Sequence, residues 1–182
     1  MQVGATELGQ GSDTALAQTV AETLGQPLDQ VHVVSCQDTD VTPFDTGAYA
    51  SRQTYVSGQA VIRTARQLKE KILDYVGAIS DLEARDLDIS NGHIIISRTP
   101  ETVVMSLKDV ALDAYYEKNR GGQITAEVSY KTRSNAHVFG CTFVDLEVDI
   151  PLCRVKINEI YNHHDCGVVI NPLNAEGQVM GG

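Results

Sequence analysis

Two stretches of the sequence place glycine or other small residues and a side-chain amide directly before a segment of helical periodicity. The first covers residues 4–12 and contains Gly9-Gln10-Gly11, and the second covers residues 42–53 and contains Gly47 and Gln53. The first N–H groups of a helix lack intrahelical partners and carry a partial positive charge, which suits a phosphate or pyrophosphate. Glycines permit close backbone approach, and an amide both donates and accepts hydrogen bonds. Both stretches are therefore candidate contacts for a polar, anionic ligand.

The segment from His163 to Gly167 gives weaker evidence of a functional site. His163 and His164 precede Asp165 and Cys166, but neighbouring residues on a strand point to opposite faces and no third ligand follows at a suitable spacing. We therefore predict a structural or hydrogen-bonding role for His164 and Asp165, and we assign no metal ligand and no catalytic residue. Glu7 lies in the first stretch, where its carboxylate could orient a polar group of a ligand, and Asp45 has the same position in the second.

The first stretch leads into a clear amphipathic pattern. Leu16, Val20 and Leu24 recur at helical spacing, Ser12 or Asp13 suits the N-cap, and Gly25 follows the end. This pattern predicts a helix over 12–24.

The second stretch leads into the longest periodic segment, which predicts a helix over 51–76. A shorter helix is predicted over 106–117. Alternating residues around Asn91-Gly92 predict a hairpin within 87–97. Further strands are expected at 31–35, 124–130, 140–150 and 155–161, with the last two antiparallel.

These elements predict an α+β fold with a mixed sheet and packed helices. Residues 1–78 and 134–182 are expected to form the main, partial domain, and residues 79–133 a small α+β lobe.

Composition excludes several classes of protein. The 182 residues include 24 acidic and 14 basic side chains, for a net charge of -10, which disfavours nucleic-acid binding. No apolar run approaches the roughly 20 residues of a membrane span, and the start has no leader segment, so we expect a soluble, cytoplasmic protein. The four cysteines show no Cys-x-x-Cys spacing, which favours reduced, mostly buried thiols.

Three motifs in order resemble the large molybdenum-binding subunit of the xanthine oxidase family. They are residues 4–11, residues 43–53, and His164-Asp165-Cys166-Gly167 followed by Ile170-Asn171-Pro172 and Glu176-Gly177-Gln178. The resemblance covers essentially the whole chain, and within the family it favours bacterial xanthine dehydrogenases. It implies that the pterin cofactor is contacted at eight positions: Leu8, Gly9, Gln10, Gly11, Ala50, Ser51, Gln53 and Gln178. Of these, Ala50, Ser51 and Gln53 are implied to hold its phosphate or pterin end. Leu8 stands where some members have Met, and Gln53 where many have Ser.

The resemblance also implies a reaction and its partners. The reaction is oxidative hydroxylation of hypoxanthine or xanthine at molybdenum held by molybdopterin, either as such or as its cytosine dinucleotide. Electrons leave through FAD-binding and 2Fe-2S subunits of a hetero-oligomer. The family's catalytic base and substrate-binding arginine match no motif in this chain, so we expect a partial cofactor domain that is inactive by itself. Aldehyde, nicotinate or carbon monoxide as substrate, and a non-catalytic ligand-binding or assembly module, remain alternatives.

Overall fold

The computed structural model describes residues 1–117 and 122–181 of the chain. Residues 1–134 and residues 135–182 form two compact units, each treated by itself below. The helices and strands, in chain order, are β1 (Gln2–Val3), α1 (Ser12–Leu24), β2 (Val34–Ser35), α2 (Gly58–Ser80), β3 (Leu87–Ser90), β4 (His93–Ile96), β5 (Thr99–Ser106), α3 (Leu107–Tyr116), β6 (Phe139–Asp149), β7 (Arg154–Asp165) and α4 (Pro172–Gly181).

Helix α2 contributes residues to both core clusters of the first unit. Near its start, Val61 packs with Leu16 of α1 and with Ala5. Near its end, Ile72 and Val76 pack against strands β3 and β4 and helix α3, through the residues Leu87, Ile89, Ile94 and Val110. Since a fully buried Leu or Ile contributes about 1.5–3 kcal/mol, the first of these clusters fixes the beginning of α1 beside the beginning of α2.

The strands of the first unit form two small sheets. Strands β1 and β2 pair in parallel, and β3, β4 and β5 form an antiparallel sheet in that order. The predicted hairpin turn is confirmed, because Asn91 and Gly92 adopt φ angles of 48° and 75° between β3 and β4. Strand β5 was not predicted.

Three helix predictions compare closely with the structure. Helix α1 is confirmed over 12–24, and α3 differs by one residue at each end from the predicted 106–117. The helix predicted over 51–76 begins instead with a π-turn, Gln53–Ser57, and its α-helical part continues to Ser80. The N-cap predicted at Ser12 or Asp13 is wrong, because Gly11 occupies that position with a φ of 83°.

Two strand predictions need correction. Of residues 31–35 only Val34 and Ser35 form a strand, and residues 124–130 form none. Residues 124–130 contact helix α2 instead of pairing with a strand. Ile124 packs against the cluster that contains Ile72 and Val76. The carbonyl of Thr125 accepts a hydrogen bond from Lys71 at 2.7 Å, and Arg63 lies over the ring of Tyr130.

The second unit is a long hairpin followed by a helix. Strands β6 and β7 pair antiparallel along their whole length, from Phe139 with Asp165 to Asp149 with Arg154, which confirms the predicted pair. Their side chains are exposed, so the prediction of mostly buried thiols is wrong: Cys141, Cys153 and Cys166 are exposed, and Cys36 is half-buried.

The predicted α+β class is confirmed, with parallel and antiparallel strand pairs divided among three small sheets in the described residues. The division into 1–78 with 134–182 and 79–133 stays a prediction. Among the described helices, none combines the length and the apolar character that crossing a membrane requires.

Candidate cofactor site

The carboxylate of Glu7 occupies the beginning of helix α1. It accepts hydrogen bonds from the backbone N–H groups of Gly9, Gly11 and Asp13, at 2.6, 3.1 and 2.9 Å, and from the hydroxyl of Ser12 at 3.0 Å. One side chain therefore supplies the negative charge that the sequence suggested a bound anion would supply at this helix.

These contacts control the ionisation of Glu7. Burial opposes the charged form, but the hydrogen bonds from Asp13, Gly11, Gly9 and Ser12 outweigh it, so the pKa of Glu7 lies below its usual value. The group is thus a fixed anion at neutral pH, and a phosphate placed at the same helix end would meet like charge.

The amide of Gln10 stabilises the backbone bend of residues 4–12, here called the first bend. Its Nε2 group donates to the carbonyl of Thr6 at 2.8 Å and to the hydroxyl of Ser12 at 3.1 Å, while its Oε1 accepts from the N–H of Leu8 at 2.6 Å. Both amide hydrogens are used inside the bend. Gln10 therefore fixes the shape of the bend, and Leu8 and Gly9 are its exposed residues.

Asp45 has the corresponding position in the second stretch. Its side chain is 6% exposed and pairs with the guanidinium group of Arg52. It also accepts from Gln53 Nε2 at 2.7 Å, and Gln53 in turn accepts from the Ser57 hydroxyl at 3.0 Å. The amide of Gln53 is therefore buried and engaged, and it fixes the start of the long helix.

The pKa of Asp45 lies below its usual value. Burial raises it, but hydrogen bonds from Arg52, Gln53 and Thr6 and the charge of Arg52 outweigh that effect.

Ala50 and Ser51 lie between Asp45 and its partners Arg52 and Gln53, in the backbone bend of residues 43–53, here called the second bend. Both residues are exposed and have positive φ angles, 51° and 56°, a conformation that non-glycine residues adopt at a cost of about 1–3 kcal/mol. The π-turn and helix that follow have no acidic residue in their first turns and no hydrogen bond from a capping side chain, within the described part of the chain. The two helix starts thus differ: α1 is already neutralised, and the start at 52–58 is open to an anion.

The two bends are joined to each other. The Thr6 hydroxyl donates weakly to Asp45 Oδ2 at 3.4 Å, and Gln37 Nε2 donates to the carbonyl of Ala5 at 3.2 Å. Gly4 passes so close to the second stretch that a Cβ on it would lie 2.3 Å from the carbonyl oxygen of Pro43. The structure therefore brings the bends of residues 4–12 and 43–53 together, as one feature of the first unit.

Large apolar side chains flank the exposed backbone. Leu8, Phe44 and Tyr49 are 71%, 75% and 59% exposed. Gly9 has a φ of 94° and open space where a side chain would be. A flat ligand could thus contact the exposed residues of the bends together with these apolar side chains.

A cavity of about 480 Å³ lies between α1, α2 and residues 125–130. The side chains around it are mostly apolar, among them Val3, Val20, Val56 and Leu68. Its lining also includes polar residues of the second stretch, among them Thr42, Asp45 and Arg52, and the last two pair with each other.

Gln178 belongs to the second unit. It lies on α4, and its side chain lines a concave pocket of that unit with Thr142, Asn162 and His164. Among the residues that the structure describes, no group of three or more His, Cys, Asp or Glu side chains is arranged to hold a metal ion.

Sequence reasoning did not find the roles of several residues. It noted Glu7 and Asp45 as possible orienting groups for a ligand, whereas both are bonded within the protein, and it did not consider Thr6 or Arg52. A signal for Glu7 was available, since a carboxylate five residues before a helix start can reach the free N–H groups of the first turn. The strand alternation of β7, once paired with β6, was sufficient to place Asn162 and His164 on one face.

Comparisons with known proteins identify the family of the chain. The molybdopterin cofactor-binding domain family matches residues 1–182. The xanthine dehydrogenase molybdenum-binding subunit of Escherichia coli is 56% identical over 182 residues, which are 100% of this chain and 24% of that protein. The carbon monoxide dehydrogenase large chain of Afipia carboxidovorans is 30% identical over 183 residues, or 100% of this chain and 22% of that protein.

The solved structures give the same result for the fold. The reconstituted CO dehydrogenase from Oligotropha carboxidovorans superimposes with a TM-score of 0.83 at 30% identity, covering 98% of this chain and 22% of that one. The chain thus spans about a quarter of the length of the curated relatives that it matches.

Proposed function

The chain belongs to the molybdopterin cofactor-binding domain family, and from this we propose that its two joined bends hold the molybdenum cofactor of a xanthine dehydrogenase. The observation that carries the proposal is that the two joined bends both carry exposed residues, Leu8 and Gly9 in the first and Ala50 and Ser51 in the second. Hydrogen bonds of buried or half-buried side chains hold both bends in place. A precise binding site requires such hydrogen bonds, because they hold the residues that contact the ligand in a fixed position.

The charge distribution favours a particular orientation of the cofactor. The Glu7 carboxylate accepts hydrogen bonds at the N-terminus of α1, and Asp13 lies in the first turn of that helix. These two negative charges repel a phosphate. The helix that starts after Ser51 has no acid in its first turns, and the one carboxylate nearby, Asp45, is paired with Arg52. We therefore assign the phosphate end of the cofactor to Ala50 and Ser51.

The first bend then receives the uncharged part of the cofactor. The contacts come from the exposed residues Leu8 and Gly9. Gln10 and Gly11 give the bend its shape, and Gln53 does the same for the second bend; direct contact of these three residues with the cofactor stays a prediction. Gln178 is assigned to the pterin from the family resemblance and from its place in a polar pocket.

When bound, the molybdenum cofactor supplies oxidative hydroxylation of an electron-poor carbon. The residues of this chain bind and orient the cofactor, and we assign no catalytic residue among them.

The substrate is proposed from the relatives. The xanthine dehydrogenase subunit shares 56% identity with this chain, against 30% for the carbon monoxide dehydrogenase, so we propose xanthine or hypoxanthine as substrate of the full-length protein. FAD-binding and 2Fe-2S subunits are its proposed partners in a cytoplasmic hetero-oligomer. Both molybdopterin and its cytosine dinucleotide fit the proposal.

The test is the full-length protein purified with its partner subunits from cells supplied with molybdate. We expect about one molybdenum and one pterin per large subunit, and oxidation of xanthine that is lost when the cells are grown with tungstate. Carbon monoxide and an aromatic aldehyde serve as comparison substrates, and preference for either would overturn the xanthine assignment. Protein that contains neither metal nor pterin would overturn the proposed function and would favour a ligand-binding or assembly module.

A further inference from the structure

Three polar side chains lie together on one face of the β6–β7 hairpin. Thr142 pairs with Asn162 across the two strands, and Gly140 pairs with His164. Since alternate residues of a strand project to the same side, Asn162 and His164 share a face with Thr142. The Thr142 hydroxyl donates to Asn162 Oδ1 at 2.7 Å, which fixes the orientation of the carboxamide and directs its Nδ2 group away from Thr142.

Gly140 makes room for the His164 ring. A Cβ at this position would lie 3.1 Å from His164 Nδ1 and 3.2 Å from Cε1. These distances are shorter than ordinary van der Waals contact, so the imidazole lies against the backbone where a side chain is missing. The ring is thus held on the same surface as Asn162.

Helix α4 closes this surface into a pocket. Gln178 and Val179 complete the lining of a concavity of about 300 Å³ with Thr142, Asn162 and His164. None of these five residues is acidic, lysine or arginine, so the pocket lacks the strong positive charge that holds a phosphate. It offers instead amide and imidazole groups that both donate and accept hydrogen bonds.

We propose that Thr142, Asn162 and His164, together with Gln178, form a recognition pocket for the edge of an uncharged nitrogen heterocycle. The alternating N–H and C=O groups of a fused pyrimidine ring match two amides and an imidazole, and the pterin of the cofactor and a purine substrate both carry such an edge. This inference rests on the proposed function, and it adds three residues to the one, Gln178, that the family resemblance supplied.

The experiment uses the full-length protein with Asn162→Leu and, separately, His164→Phe, changes that keep the approximate size but remove the polar groups. Asn158→Leu is the matched control, because Asn158 lies on the same strand, bonds to Glu147 at 3.1 Å and is outside the pocket. Pterin content, molybdenum content and the KM for xanthine of the loaded fraction are measured. The pocket variants are expected to change pterin content or KM about fivefold or more, an effect on the order of 1 kcal/mol, while the control changes neither.

The two readouts separate the two sources of the heterocycle. A fall in pterin content shows that the pocket holds the cofactor, and a higher KM at unchanged pterin content shows that it holds the substrate. Thr142→Val, a nearly isosteric change, gives the same readouts if a larger substitution lowers the melting temperature. Unchanged pterin content and unchanged KM in all three pocket variants would overturn the inference while leaving the proposed function standing, whereas wild-type protein without pterin would contradict the proposed function itself.

Discussion

For single residues, the side chains that the sequence predicted to contact a ligand in the two bends form hydrogen bonds within the protein. Gln10 and Gln53 were predicted as ligand-binding amides, yet the first holds its own bend and the second holds Asp45. Glu7 and Asp45 are bonded to the protein in the same way. The exposed residues of the two bends are Leu8, Gly9, Ala50 and Ser51, and the position of their backbone depends on these side chains.

Glu7→Ala tests this arrangement in the full-length protein. Loss of the carboxylate removes the acceptor of the Gly9, Gly11 and Asp13 amides, and loss of such a cap costs about 0.5–2 kcal/mol. Hydrogen exchange in peptides covering 8–13 should therefore accelerate by about 2- to 30-fold. Glu22→Ala, an exposed position on the same helix, should leave that exchange rate unchanged; equal acceleration in both variants would contradict the role of Glu7.

At the scale of elements, the beginnings of α1 and α2 must lie together for the two bends to act as one site. The closest approach is that of Gly4 to the Pro43 carbonyl. Both partners are backbone, so neither can rotate away from an added methyl group.

Gly4→Ala should accordingly separate the bends. Overpacking of this kind costs about 1–3 kcal/mol, and we expect the cofactor content of the full-length protein to fall about threefold or more. Gly58→Ala is the control, because no atom lies within 4 Å of a Cβ there, and a helical Gly→Ala change stabilises by roughly 0.5–1 kcal/mol. Equal cofactor content in both variants would show that this contact does not position the site.

How far the sequence predicted these elements follows from what the patterns encode. Helical periodicity and the Asn91-Gly92 turn are local signals, and α1, α3 and the β3–β4 hairpin were predicted closely. Residues 124–130 have strand composition, but a strand needs a partner, and this segment packs its side chains on α2 instead. The positions of both candidate bends could be predicted, and so could a contact of Glu7 with the start of α1, but the hydrogen-bond partners of Gln10 and Gln53 depend on distances that no pattern specifies.

At the scale of the whole molecule, the charges that support the site make its stability depend on pH. The pKa of Asp45 lies below its usual value, so its ionised form stabilises the folded protein. That contribution is fully present above the usual pKa of an aspartate, about 4, and is lost as the pH falls through the lower pKa of the folded state.

Asp45→Asn should therefore lower the melting temperature by a constant amount from about pH 7 to pH 5, and the difference should shrink below about pH 4. The expected cost at neutral pH is about 1–3 kcal/mol, because Arg52 loses its charged partner. Asp29→Asn, at an exposed position, should show no comparable difference. A gap between wild type and Asp45→Asn that is the same at pH 3 and pH 7 would contradict the role of this ion pair.

The most direct test of the central claim is the pterin and molybdenum content of full-length protein carrying Ser51→Asp. Aspartate tolerates a positive φ angle better than most residues, so the bend should persist while its new charge repels the cofactor phosphate. Gln67→Asp, exposed on α2, adds the same charge away from the bends. The account predicts about tenfold less cofactor in Ser51→Asp than in Gln67→Asp; equal cofactor content in the two variants would contradict it.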